Sequence, residues 1–204
     1  THNVVRTLDG GWARERNISK NIVDAGIFCI DSKLGTSSAK HNPFVAAENE
    51  NGFFGFSPVY SGNHKFMAEV SPMGKTRLLS GMNDFQLDYP VAAGESFYSP
   101  EVATAFAVSE KNLSRAYHEF VKVHILPERF ANAERPILLN NWEATYFDFD
   151  HDKILSLADQ AKELGIELFV LDDGWFGARN DDKGSLGDWF DNSKKTGGLD
   201  KLAA

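Results

Sequence analysis

The sequence predicts a two-part chain, an antiparallel β-sandwich followed by the opening strand, helix and strand of a parallel β/α fold. Three observations carry this. From Gly26 to about Ser109 the apolar residues fall in short runs cut by turn formers, which is an antiparallel β pattern. After Ser109 the apolar spacing changes to three and four, as on one face of a helix. Beyond Arg135, two short unbroken apolar runs flank a second helical stripe, as buried parallel strands do around their crossover.

Taken in order, Phe53 to Tyr60, Lys65 to Val70 and Val102 to Val108 have the length of strands in stacked sheets. Gly52, Ser61-Gly62-Asn63, Ser71-Pro72-Met73-Gly74 and Ala93-Gly94-Glu95-Ser96 supply the turns between such runs. The aromatic residues of this part read as sandwich core. Ser109 is an N-cap for a helix carrying Leu113, Ala116, Tyr117, Phe120, Val121 and His124 on one face, and Pro127 stops it. That helix is expected to close the sandwich, with His124 packed rather than ligating. Past a charged connector, Pro136 to Trp142 reads as a strand covered on both faces. Asp148 to Asp152 offers caps for a helix with Ile154, Leu157, Ala158, Ala161 and Leu164 inward, and Gly165 ends it. Ile166 to Asp173 is the second strand. The division expected from these patterns is a sandwich over 1–108, a linker helix and connector over 109–135, and a β/α part over 136–204.

Two parallel strands do not make a domain. A β/α barrel needs eight strand-helix units over ~250 residues, and only 174–204 remain, so the chain reads as cut, with Asp200 to Ala204 a helix just begun. In such folds ligands bind beyond the carboxyl ends of the strands. The first strand ends in Asn140-Asn141-Trp142-Glu143 and the second in Leu171-Asp172-Asp173-Gly174-Trp175, so carboxylates, amides and indoles are expected on one rim. An aromatic plate accepts the apolar face of a pyranose, and ionised carboxylates accept hydrogen bonds from its hydroxyls, so the rim suits a sugar. Adjacent aspartates on a strand point to opposite faces, whereas the carboxyls of a retaining glycosidase pair lie ~5 Å apart facing one bond. Asp172 and Asp173 are therefore assigned to holding rather than cutting. A loop-start pair capping local backbone donors is the competing reading for both, as is packing under the rim for Trp142.

The 204 residues carry 21 basic and 29 acidic side chains, a net charge of −8, with 42% hydrophobic residues. Disordered, collagenous and membrane-spanning classes are excluded, and an acidic chain without a basic run has no footprint for nucleic acid. The first residues, Thr1 to Arg6, have no signal-peptide pattern. Cys29, the single cysteine, fits a reducing compartment, so a cytoplasmic location is expected, and reads as a small buried apolar residue. Asp181-Asp182-Lys183-Gly184 lacks the ligand alternation of a calcium loop, and no phosphate loop, dinucleotide loop or Gly-x-Ser-x-Gly elbow occurs, so neither metal nor cofactor is expected.

Three stretches make the chain recognisable: Arg135-Pro136-Ile137-Leu138-Leu139-Asn140-Asn141-Trp142-Glu143-Ala144-Thr145-Tyr146-Phe147-Asp148, Gly165 to Phe176 with its Leu171-Asp172-Asp173-Gly174-Trp175 core, and Ser185-Leu186-Gly187-Asp188-Trp189. Together with Gly11-Trp12-Ala13-Arg14-Glu15-Arg16, Ser37-Ser38-Ala39-Lys40-His41-Asn42-Pro43-Phe44 and Gly94-Glu95-Ser96-Phe97, they resemble the bacterial α-galactosidases of glycoside hydrolase family 36. The resemblance implies a retaining hydrolase of terminal α-linked galactose in melibiose, raffinose or stachyose. It also implies a β-supersandwich, then a (β/α)8 barrel, then a C-terminal β-domain, of which this chain holds the latter part of the first and the start of the second. The matching tryptophan, Trp142, would line the galactose subsite, and Asp172 and Asp173 would bind galactose hydroxyls, notably the axial one. The family's nucleophile lies in a Lys-x-Asp motif on a later barrel strand and its acid/base later still; neither is expected before Ala204, so no catalytic residue is assigned and the isolated chain is expected to be inactive. Family members often assemble as tetramers through regions partly outside this span, so a homo-oligomer is implied for the full-length protein only. The alternative is a non-catalytic β-sandwich, sugar-binding or structural, with a degenerate strand-helix-strand tail.

Overall fold

The computed structural model describes residues 3–38 and 40–203; Thr1, His2, Ala39 and Ala204, which the sequence reading names, lie outside the described residues. The chain divides into two compact units, 1–131 and 132–204.

The first unit is a sandwich of two antiparallel sheets. Strands β1 (Asn3–Asp9), β2 (Asn17–Val23), β4 (His41–Asn49), β5 (Gly52–Pro58) and β8 (Val102–Ala107) form one, in the order β2-β1-β4-β5-β8. Strands β3 (Gly26–Asp31), β6 (His64–Val70) and β7 (Thr76–Met82) form the other, in the order β3-β6-β7. Side chains alternate across each strand, and the inward sets from both sheets meet in one apolar cluster: Val5, Val23, Val45 and Phe56 from the larger sheet, Phe28, Ile30, Phe66, Ala68, Val70 and Leu78 from the smaller. The β pattern thus begins before Gly26. β1 lies inside the larger sheet, between β2 and β4, and carries Val5 with no exposure at all. Cys29, on the outward face of β3, is exposed rather than buried.

Helix α1 (Glu110–Phe120) starts where the sequence places it, with the Ser109 hydroxyl accepting from the Asn112 amide. It covers the outer face of the larger sheet. Tyr117 stands edge-on to Phe44 with centroids 5.2 Å apart, and its hydroxyl donates to the Ala103 carbonyl at 3.0 Å. Gly55 makes room for that ring: a Cβ there would sit 2.5 Å from it. Burial drives the Tyr117 hydroxyl up to about 12, partly offset by the Ala105 backbone. Beyond Phe120 the helix widens into a π-helical turn, Val121–Ile125, and His124 stays exposed against the Phe120 ring instead of packing inside. A four-residue helix, α2 (Glu128–Ala131), ends the unit.

The second unit is the opening strand-helix-strand unit of a β/α barrel. β9 (Leu138–Asn140) and β10 (Leu168–Val170) pair in parallel, Leu139 opposite Phe169, and α4 (His151–Glu163) makes the crossover. Asp150 caps α4 by accepting from the Lys153 amide, and Gly165 ends it at φ +78°. Ile154 and Ala161 are buried as the spacing predicts, whereas Leu164 is 82% exposed. The strands are shorter than expected and not covered on both faces, Leu138 being 50% exposed. Trp142 departs further: it opens a four-residue helix, α3 (Trp142–Thr145), because the Asn140 side chain accepts its amide hydrogen at 2.8 Å and turns the chain off the strand. Short helices α5 (Ser193–Thr196) and α6 (Leu199–Leu202) follow a long loop.

Candidate functional site

At the carboxyl ends of β9 and β10 a small polar network sets the positions of the rim. Asn141 is fully buried. Its side-chain oxygen accepts the Asp172 amide at 2.7 Å, and its side-chain nitrogen donates to the Thr145 hydroxyl at 2.8 Å. Asn140 donates to one oxygen of Asp172 at 2.5 Å, while the other oxygen accepts the Asp173 amide at 2.7 Å. Each strand end therefore fixes the other through amide and carboxylate side chains, beside one backbone bond from the Asn141 amide to the Val170 carbonyl at 3.2 Å.

Asp173 points elsewhere. Its Oδ1 accepts from the Gly174 amide at 2.7 Å and from Arg179 Nε at 2.5 Å. Arg179 is 5% exposed and reaches further, donating to the Gly184 carbonyl at 2.6 Å and lying 3.7 Å from an Asp182 oxygen. The Asp173 hydrogen bond pushes the guanidinium pKa further up, so this buried group keeps its charge. Asp172 and Asp173 thus have separate partners, and both cap neighbouring backbone amides. Among the described residues Oδ2 of Asp173 takes no protein hydrogen bond, so it keeps acceptor capacity.

The third element is aromatic. Trp142 is half-buried; its ring stands at 84° to Tyr146 and at 89° to Phe147, with centroids 5.3 and 4.9 Å away. The chain between these rings is strained: Tyr146 sits at φ +47°, a region that favours glycine, and its amide is held by the Trp142 carbonyl at 2.7 Å. Lys195 comes from α5 to donate to the Phe147 carbonyl at 2.5 Å, with its ammonium 4.3 Å from the Phe149 ring centroid. Burial holds the pKa of this lysine below the usual amine range. Gly174, at φ +95°, passes where Phe147, Phe149 and Lys195 would all meet a Cβ at 3.2 to 3.3 Å, so only glycine fits this turn without displacement. A second aromatic group, Trp175, Phe176 and Trp189, lies in the loop over 175–192, which doubles back so that the Asn192 amide meets the Trp175 carbonyl.

Trp142, Asp172 and Asp173, the three residues singled out in the sequence, all lie at these strand ends. Spacing did not reveal Arg179 or Lys195, which loops return to the rim from six residues past Asp173 and from α5. The only sequence signal for Arg179 is a lone cation after two aspartates in an otherwise apolar and glycine-rich stretch. Among the described residues no cluster of His, Cys, Asp and Glu is arranged to hold a metal ion, and no helix is long and apolar enough to cross a membrane.

Comparison with known proteins matches residues 96–204 to the melibiase family model and residues 2–92 to the glycosyl hydrolase family 36 N-terminal domain. Alpha-galactosidase AgaA of Geobacillus stearothermophilus is 46% identical, over 96% of this chain and 28% of the relative. Alpha-galactosidase Mel36A of Lactobacillus acidophilus is 43% identical, over 94% of this chain and 27% of the relative. Among solved structures, a variant of the Geobacillus AgaA in complex with raffinose superposes with a TM-score of 0.92 at 44% identity, covering 98% of this chain and 29% of the other. The chain therefore spans under a third of the length of these relatives.

Proposed function

The chain belongs to glycoside hydrolase family 36, the melibiase family, and from that premise we propose that it supplies the galactose-holding part of a retaining α-galactosidase acting on raffinose- and melibiose-type oligosaccharides. Trp142 is the plate for the apolar face of the sugar, and Asp172 and Asp173 accept hydrogen bonds from its hydroxyls, the axial one included. The observation that carries this reading is the divergence of the two carboxylates. Asp172 is tied to Asn140 and Asp173 to Arg179, so each carboxylate is held in its own direction by a donor. Their separate partners aim the two apart, whereas a retaining acid/base and nucleophile pair must face a common gap. The family resemblance assigns cleavage to a Lys-x-Asp motif and a later aspartate, and no Lys-x-Asp occurs in these 204 residues. Cytoplasmic location and a homo-oligomeric full-length enzyme complete the proposal.

Two measurements test it. The 204-residue chain should give no turnover of a chromogenic α-galactoside; clear turnover would show that it carries its own cutting residues. Galactose titrated onto the chain should shift the Trp142 indole N–H resonance, and glucose, which differs only at the fourth hydroxyl, should shift it less at equal concentration. Equal responses to both sugars, or none, would remove the hydroxyl-reading role from the aspartates.

A further inference from the structure

We propose that Arg179 is the positioning residue of this sugar site, a single buried clamp that sets the direction of Asp173 and supports the aromatic shelf under Trp142. The inference rests on the galactose reading above and adds to it the group that makes the site rigid. The guanidinium occupies a place where three things meet. Its Nε fixes Oδ1 of Asp173 at 2.5 Å, so the remaining oxygen of that carboxylate has one direction rather than a range. One terminal nitrogen donates to the Gly184 carbonyl at 2.6 Å, which ties the 181–184 loop to the strand end. Its guanidinium carbon lies over two rings, 5.6 Å from the Phe147 centroid and 5.9 Å from that of Phe176.

Phe147 is the link to the sugar plate. Its ring stands perpendicular to Trp142 at 4.9 Å, and its carbonyl is held by Lys195, whose ammonium lies 5.9 Å from the same ring. Two cations thus lie 5.6 and 5.9 Å from the centre of one ring, and that ring meets the tryptophan edge-on. A lysine in place of Arg179 cannot reproduce the arrangement, because it is a point donor with no planar fork to bind Asp173 and Gly184 together while stacking on the rings. Arg179 touches no sugar in this account; it acts through Asp173 and Phe147.

A double-mutant cycle on the 204-residue chain tests this, with galactose as the probe and the Trp142 indole N–H resonance as the readout. Arg179→Lys should weaken galactose binding about tenfold, which is about 1.4 kcal/mol, and should narrow the difference between galactose and glucose. In the Asp173→Asn background the same substitution should cost only about threefold, the share carried through Phe147, since the carboxylate it directs is already gone. Additive losses in the two backgrounds would overturn the proposal by assigning Arg179 to fold stability alone. So would unchanged galactose affinity in Arg179→Lys. Should that variant lose its cooperative melt, Phe147→Leu carries the test: it should lower affinity about threefold or more through the Trp142 plate, and unchanged affinity would contradict the clamp. Failure of the unsubstituted chain to bind galactose would instead overturn the reading beneath, and the clamp with it.

Discussion

In residues 1–131 the buried cluster between the two sheets is apolar, Val5 and Val45 facing Ile30, Phe66 and Ala68, although Thr7, Ser32, His64 and Asn83 are buried as well. In residues 132–204 the two least exposed side chains are Asn141 and Thr196, both polar, and Arg179 is nearly as buried. Apolar packing is non-directional, so the sandwich is specified by volume and alternation and tolerates exchange between residues of similar size. The strand ends are specified by donors and acceptors, each with a direction, and an amide or carboxylate removed there leaves a named partner unsatisfied. The two kinds of order fix different things: the first a packed volume, the second the directions of polar groups.

The largest expected effect lies in the sandwich. Phe66→Ala should destabilise the first unit by about 3–5 kcal/mol, seen as a lowered urea midpoint, because a buried ring at the centre of the cluster leaves a cavity. Asn141→Leu should cost about 1–3 kcal/mol for each group left without a partner, with hydrogen exchange rising at the Asp172 amide, although it exchanges one buried side chain for another of similar size. If that variant were as stable as the parent, polar specification of the second unit would be wrong.

The Tyr117 hydroxyl gives a third test. Its pKa is raised by burial, so the stability it contributes is fully present below the unfolded value near 10 and is lost as pH rises toward about 12. Stability of the first unit, followed by denaturant melts, should therefore fall between pH 10 and 12, and Tyr117→Phe should flatten that fall. The smallest effect is expected at Leu138, half exposed on β9, where alanine should cost less than about 1 kcal/mol. A larger loss would mean that the parallel pair, rather than its polar ends, holds the second unit.

Much of this was legible from period and punctuation. β5, β6 and β8 follow from apolar runs bounded by Gly52, Ser61-Gly62-Asn63 and Ser71 to Gly74, and α1 and α4 from their caps, Ser109 and Asp150. β1 was missed because Thr7 takes a core position in it, so the alternation with Val5 is half polar, and its partner β4 lies over thirty residues away. β2 is an edge strand with Ile18 and Ile22 exposed, which hides it from a burial pattern. The position of Trp142 was read from a run that continues past the strand, because periodicity does not register the side-chain bond by which Asn140 ends it. The place of Trp142, Asp172 and Asp173 at the strand ends was legible because both strands end where their apolar runs give way to polar residues. Arg179 could not, since its approach to Asp173 depends on how a glycine-rich loop turns back, and nothing local in the sequence states that.

The most direct measurement is a crystal structure of the chain soaked with galactose. The account predicts the sugar at the strand ends, its apolar face on Trp142, with a carboxylate oxygen of Asp172 or Asp173 within about 3 Å of the axial hydroxyl and Arg179 still bonded to Asp173. Galactose seated on the sandwich instead, with the strand ends empty, would contradict it and assign the two aspartates to capping their loop.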